Sequence, residues 1–203
     1  MITVYIETNF FIAFAKNQDK ESEELVIDRG SDPISSIKIV SPTICFMEAL
    51  SVLENERQRS NSFKVRMVDE ISKLKGDVHS EYSKEIQRYL EQAKIQSDRR
   101  INDINIRLFE VLTWAANNVD LINLEPSILI DSLNQRFIPD PTDNLILHSI
   151  LNHAKTSSDG QKILLTGNSK DFGTKEIKQI LGAAGIQKYF ASTKDLLGWL
   201  RSL

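Results

Sequence analysis

The sequence is poor in cysteine, with Cys45 as the only one among 203 residues. A single cysteine excludes an internal disulfide. Its neighbours Ile44, Phe46 and Met47 are apolar. We therefore expect a buried structural thiol, as is common in proteins of the reducing cytosol.

Long hydrophobic runs are also missing. The longest uninterrupted one, FFIAFA at residues 10–15, is far shorter than the roughly 20 residues that span a bilayer. No basic segment precedes an apolar stretch at the N-terminus, which argues against a signal peptide. We expect a cytoplasmic protein with no membrane partner.

The chain has no excess of positive charge and lacks the common nucleotide-binding motifs. Its formal net charge is -3, so a nucleic acid would have to bind a local basic patch. The turn after the first apolar run reads ETNFF, without a glycine-rich fingerprint, and the phosphate-binding pattern GxxxxGK does not occur. We also find no obvious Ser-His-Asp or Cys-His set. What the chain does have, 41% hydrophobic and 26% charged residues, is typical of a globular domain.

Apolar runs near both ends of the chain alternate with helical patterns. The runs that read as strands are ITVYI (2–6), IKIV (37–40), KILLT (162–166) and IQKYF (186–190). Ser41 and Pro42 suit the N-cap and the first position of the helix after the second strand. Strands that alternate with helices predict an α/β fold, with three layers, α/β/α, around a central parallel sheet.

Residues 55–138 have a different pattern. Apolar residues recur there at steps of three and four, as in Phe63, Met67, Ile71 and Leu74, which predicts long amphipathic helices. We interpret this segment as a helical insertion. The chain would then be one domain over residues 1–203, with an α/β core made of 1–54 and 139–203.

Acidic residues occupy equivalent positions in the predicted core. Glu7 ends the first strand, Glu48 interrupts an apolar helix face, and Asp143 lies in the first turn of an apolar helix. Asn168 and Asp171 follow the strand KILLT. Strand carboxyl ends and the first turns of the following helices share one edge of a parallel sheet, so we expect one crevice there. Carboxylates around it would repel one another unless protonated or neutralised by a cation, and such hard oxygen ligands suit Mg²⁺ or Mn²⁺.

These segments resemble the acidic motifs of PIN-domain nucleases, in order and in spacing. The segments are VYIETNFFIAFA, SPTICFMEAL, PTDNLILHSIL and LLTGNSKDF. The resemblance covers the predicted core and not the helical middle. It implies a PIN-like fold and a Mg²⁺- or Mn²⁺-dependent ribonuclease, in which a metal ion lowers the pKa of a water that attacks the phosphate.

The resemblance also implies roles for individual residues. Glu7 stands where the family has an aspartate, and its side chain is one methylene longer. Asn168 stands where an acid is common, which leaves the fourth position open between Asn168 and Asp171. Catalytic and metal-binding roles are implied for Glu7, Glu48, Asp143 and Asp171. Supporting roles are expected for Thr8, Asn9 and Asn168.

Each of these residues has a structural interpretation as well. Asp140 suits the N-cap of a helix, and Asp143 then falls at the capping-box position. Asp171 could cap the helix that follows it, and Thr8 or Asn9 could cap the first helix. A cap and a metal ligand are not exclusive.

The resemblance extends to partners, because many family members are toxins of toxin–antitoxin pairs and many are dimers. It implies RNA as substrate, with a small antitoxin protein and a second copy of the chain as candidate partners. The departures at Glu7 and Asn168 support an alternative: a catalytically weakened PIN-like scaffold that binds nucleic acid or protein.

Basic residues cluster in the helical middle. The segment ERQRSNSFKVR (56–66) is the best local candidate for RNA contact, through Arg57, Arg59, Lys64 and Arg66. Acidic residues are interspersed in this part of the chain, and mixed charges are usual on a solvated helix face. The sequence leaves both interpretations open.

Overall fold

The structure, a computed structural model, describes residues 1–27, 37–158 and 160–203. The strands are β1 (Ile2–Ile6), β2 (Ile37–Pro42), β3 (Asp120–Ile122), β4 (Gln161–Leu165) and β5 (Ile186–Phe190). The helices are α1 (Thr8–Ala15), α2 (Ser22–Ile27), α3 (Ile44–Leu74), α4 (Glu81–Asn118), α5 (Pro126–Asn134), α6 (Pro141–Thr156), α7 (Lys175–Ala183) and α8 (Thr193–Leu200). The strands form one parallel sheet in the order β3-β2-β1-β4-β5, with helices on both faces. The predicted three-layer α/β/α fold is confirmed.

The central strands are largely apolar because both faces of the sheet are covered. Val4, Tyr5, Ile39, Ile163 and Leu164 are each at most 2% exposed. Near-continuous apolar runs of this kind are typical of parallel strands between two helical layers. All four strands predicted from the sequence are confirmed as strands, with small shifts at their ends.

The prediction that Ser41 caps α3, with Pro42 at its first position, is wrong. Both residues end β2, where they pair with β3. The helix begins at Ile44, after Thr43, whose backbone amide and hydroxyl both donate to the carbonyl of Ile122. Pairing with a strand that lies some 80 residues further along the chain extends β2 through the predicted cap. No local sequence pattern reveals this pairing.

The middle of the chain is mostly helical, as predicted. The helices α3 and α4 have 31 and 38 residues, so they are about 46 and 57 Å long. They pack against each other, and the C-terminal part of α4 also joins the core through Leu108, Val111 and Ala115. The expectation of a purely helical segment is wrong at β3, which belongs to the sheet. The division into core and insertion stays a prediction.

The order of the strands reverses between β1 and β4. From β1 the chain builds outward through β2 and β3, and it then returns to place β4 on the other side of β1. In open α/β sheets, such a reversal leaves a crevice at the carboxyl ends of the two strands. Glu7 directly follows β1, and Asn168 lies in the turn after β4. The fold therefore brings the first and last acidic segments to the same edge.

Among the described residues, none of the helices combines the length and the apolar character needed to cross a membrane.

Candidate functional site

Glu7 lies between β1 and α1 and is the N-cap of that helix. Its Oε2 accepts a hydrogen bond of 2.7 Å from the backbone amide of Asn9. The residue is 1% exposed, and Oε1 has no hydrogen-bond partner among the described residues. Burial raises the pKa of Glu7 to about 7, the Asn9 amide opposes this shift, and the charge of Asp143 adds to it. The alternative in which Thr8 or Asn9 caps α1 is not observed.

Glu48 lies in the second turn of α3 and is bonded to the first turn of α1. The hydroxyl of Thr8 donates a short hydrogen bond to Glu48 Oε2. Partial burial raises the pKa of Glu48, the Thr8 bond lowers it, and the charge of Asp140 raises it. Thr8 therefore links the second acidic segment to the first.

Asp143 lies in the first turn of α6, in a helix start that the sequence predicted. Asp140 is the N-cap, and its Oδ1 accepts hydrogen bonds from the amides of Thr142 and Asp143. The pKa of Asp143 is raised to about 6, first by burial and then by the charges of Glu48, Asp140 and Asp171. A carboxylate that feels three others is destabilised in its charged form and is poised to accept a cation.

The loop after β4 supplies the fourth segment. Asn168 Nδ2 donates to Asp143 Oδ2 at 3.1 Å, and Asn168 Oδ1 accepts from the Asp171 amide at 3.3 Å. Asn168 thus contacts Asp143 directly, while Asp171 acts on it through its charge. The interpretation of Asp171 as a helix cap is wrong, since Thr174 is the N-cap of α7.

The four acidic positions share one electrostatic neighbourhood, but the side chains of Glu7, Glu48 and Asp143 accept hydrogen bonds from other polar groups. Across residues 1–27, 37–158 and 160–203, no group of three or more His, Cys, Asp or Glu side chains is arranged so that it could hold a metal ion as it stands. The chemistry of the donor set nevertheless fits a hard divalent cation. The set consists of carboxylate oxygens, and one of them is buried with no hydrogen-bond partner in the part of the chain that the structure describes. The metal-ligand set stays a prediction.

Two further residues belong to this neighbourhood and were not assigned a functional role from the sequence. Thr166 is 1% exposed, its hydroxyl lowers the pKa of Glu7, and its Oγ1 accepts from the amide of Asn168 at 3.0 Å. Asp140 raises the pKa of both Glu48 and Asp143. The available signal for Thr166 was its place at the carboxyl end of β4. For Asp140 the sequence predicts the N-cap role but not the effect of its charge on Glu48 and Asp143.

The basic residues of the segment 56–66 do not lie among these carboxylates. Arg57 donates to Asn105 and Lys64 donates to Asp98, so both contact α4. Arg59 lies 3.5 Å from Glu56 with its side chain 79% exposed, and Arg66 is exposed. Their role in RNA contact stays a prediction. Arg57 and Lys64 contact α4, whereas Arg59 and Arg66 are exposed to solvent.

A family model described as "PIN domain" matches residues 4–172 of this chain. The chain belongs to the PIN-domain family. PIN domains are generally nucleases that act on nucleic acids, typically with divalent metal ions. No match to the chain was found among the curated proteins or among the solved structures.

The range matched by the PIN domain runs through the helical middle and includes all four acidic segments. It ends at residue 172, directly after Asp171. The matched range therefore contains the carboxylates whose charges act on one another at this edge of the sheet.

Proposed function

We propose that this PIN domain is a Mg²⁺- or Mn²⁺-dependent ribonuclease that hydrolyses phosphodiester bonds within RNA. One observation supports this proposal above the others. Asp143 feels the charges of Glu48 and Asp171 and itself raises the pKa of Glu7, so carboxylates from four segments act on one another at the carboxyl edge of the sheet. Such mutual repulsion is tolerated where a cation neutralises it.

The side chains proposed to hold the ion are Glu7, Glu48, Asp143 and Asp171. When bound, a divalent ion would offset the negative charge of the scissile phosphate and lower the pKa of the attacking water. The chain itself then needs no nucleophilic side chain. Its residues would position the substrate and keep the carboxylates in place.

Three polar contacts hold the carboxylates in position. The Thr8 hydroxyl donates to Glu48, the backbone amide of Asn9 donates to Glu7, and the side-chain amide of Asn168 donates to Asp143. Groups that bond to metal ligands fix their orientation and are about as important as the ligands themselves. We assign positioning roles to these three donors.

The test is cleavage of a labelled RNA by the purified protein in Mn²⁺, with EDTA as the blank. Asp143→Asn keeps the shape of the side chain and removes its charge, and we expect activity to fall by a factor of about 100 or more. Asp103→Asn is the matched control, because it makes the same change at an exposed site on α4. If Asp143→Asn cleaves as fast as the parent, the proposal is wrong.

A non-catalytic scaffold is the second candidate. It is favoured by the neutral Asn168 and by the hydrogen bonds that now occupy Glu48 and Asp143. Calorimetric titration with Mn²⁺ separates the two functions. Heat of binding that disappears in Asp143→Asn supports the nuclease, whereas no binding at millimolar metal supports the scaffold.

We further propose a toxin role, on the strength of the family resemblance alone. Induced expression should then arrest growth, and a small protein encoded next to this one should relieve the arrest. A protein that is harmless when expressed at high level, and that still cleaves RNA in vitro, would indicate a processing function.

A further inference from the structure

One face of α3 continues from the acidic site along the outside of the helical middle. At about 100° per residue, Asn55, Arg59, Ser62 and Arg66 all fall within about 40° of Glu48 around the helix axis. They follow Glu48 at steps of seven, four, three and four residues, which is the spacing of one helix face. We call these four residues the α3 stripe.

The α3 stripe is open to solvent. All four residues are exposed, and together with Gln58 they line a polar groove of about 500 Å³. The opposite face of α3 packs on α4 through the bonds Arg57–Asn105, Ser60–Ser97 and Lys64–Asp98. Arg57 and Lys64 therefore take part in the packing of α3 on α4, whereas Arg59 and Arg66 lie on the solvent-facing side of α3.

The charge along the α3 stripe is positive. Arg66 has no ion-pair partner among the residues that the structure describes. Arg59 shares Glu56 with Lys16, whose Nζ lies closer, at 2.9 Å against 3.5 Å. Lys16, Arg59 and Arg100 all lower the pKa of Glu56, so several cations surround this one carboxylate. Such a surface complements a polyanion.

We propose that the α3 stripe is a binding track for the phosphate backbone of the RNA whose scissile bond lies at the acidic site. This inference rests on the proposed function and names a substrate requirement for it. At about 1.5 Å per residue, Arg59 and Arg66 lie about 16 and 27 Å from Glu48 along α3. A duplex strand carries one phosphate per about 3.4 Å of helix axis, so the longer distance corresponds to roughly eight phosphates. The substrate must therefore be longer than a few nucleotides to use the whole track.

The chain supplies its own matched control. Arg59→Gln/Arg66→Gln removes two charges from the α3 stripe, and Lys84→Gln/Arg88→Gln removes two charges from exposed positions of α4, where they pair with Glu81 and Glu85. Binding of a fluorescent 20-nucleotide single-stranded RNA is measured by anisotropy in EDTA over a range of salt concentrations. Thermal melting checks that each variant is folded.

We expect the stripe variant to bind roughly 10- to 30-fold more weakly at 0.1 M salt, with the slope of log affinity against log salt reduced by about 1.4. The control variant should bind like the parent.

Equal losses in the two double variants, or unchanged affinity in the stripe variant, would overturn the proposal and leave this face to a protein partner. Because binding is measured without metal, the result is independent of hydrolysis. A protein that binds RNA through the α3 stripe but never cleaves it would refute the proposed function and not the track.

Discussion

Asn168 donates a hydrogen bond of 3.1 Å to Asp143, from the loop after β4 to the first turn of α6. The bond joins two segments 25 residues apart and stabilises the charged form of Asp143, whose pKa burial and neighbouring carboxylates raise to about 6. The neutral Asn168 thus stabilises the Asp143 carboxylate by donating a hydrogen bond, where a cation would stabilise it by charge. In the proposed metal site, a neutral side chain at this position would attract a cation less strongly than a carboxylate would.

Replacing Asn168 with aspartate should therefore strengthen metal binding. The added carboxylate exchanges a donor for an anionic oxygen ligand, and we expect Mn²⁺ to bind on the order of tenfold more tightly. Calorimetric titration of the parent, Asn168→Asp and Asn168→Ala measures this. The alanine variant is the control for loss of the hydrogen bond alone. Equal affinities in the two variants would show that position 168 does not face the ion.

The buried Glu7 should make the metal-free protein less stable as pH rises. Its pKa is raised from 4.5 to about 7, so the folded state holds this proton more tightly than the unfolded chain does. The stability that Glu7 contributes is present below pH 4.5 and is lost as pH rises through 7. The loss amounts to about 3 kcal/mol, at about 1.4 kcal/mol per pKa unit.

Glu7→Gln removes this titration. In EDTA, the free energy of unfolding of the variant should therefore rise relative to that of the parent between pH 5 and pH 8. Urea unfolding at the two pH values measures the difference. Glu56→Gln is the control, because Lys16 lowers the pKa of Glu56, so that carboxylate stays charged from pH 5 to pH 8 and the variant's stability curve should run parallel to that of the parent. Parallel pH curves for the parent and Glu7→Gln would contradict the account.

The hydroxyl of Thr8 should matter for metal binding because it holds Glu48. Thr8→Val keeps the shape and removes the bond, and we expect Mn²⁺ affinity to fall about 10- to 100-fold, as for other groups that bond to metal ligands. Thr8→Ser keeps the hydroxyl and should bind Mn²⁺ like the parent. If valine and serine behave alike, Thr8 does not position Glu48.

Lys162 should stabilise the helix that carries Asp143. Its buried Nζ donates to the carbonyls of Ala154 and Ser157, both at 2.7 Å, at the C-terminal end of α6. Lys162→Met would leave these carbonyls without a charged donor, at a cost of about 2 to 4 kcal/mol in the free energy of unfolding. Lys194→Met, at an exposed position of α8, should change it by less than about 0.5 kcal/mol. Similar urea midpoints for the two variants would refute this role.

At Lys162 the sequence predicts the strand but not the contact that the side chain makes. The run KILLT predicts a strand from its apolar residues, and β4 confirms it at Gln161–Leu165. That a lysine in this run is buried against the end of another helix depends on tertiary packing. The same limit applies to β3, since a strand of three residues with one buried side chain, Ile122, is too short for a periodicity argument.

For the site, the sequence predicts which segments meet, because strand ends and helix starts have fixed places in a parallel sheet. The places of Glu7 and Asp143 follow from that rule, whereas Glu48 lies in the second turn of its helix and was expected to reach the crevice through its side chain. Their hydrogen-bond partners do not follow from the rule, since Thr166 and the Asn168–Asp143 bond depend on how loops fold over the edge.

The most direct test of the metal site is a crystal soaked in Mn²⁺, with anomalous diffraction recorded at the manganese edge. We expect an anomalous peak at the carboxyl edge of β1, with oxygens of Glu7, Glu48 and Asp143 within about 2.3 Å of it. No peak at this edge, or a peak touched by none of these three residues, would contradict the central claim.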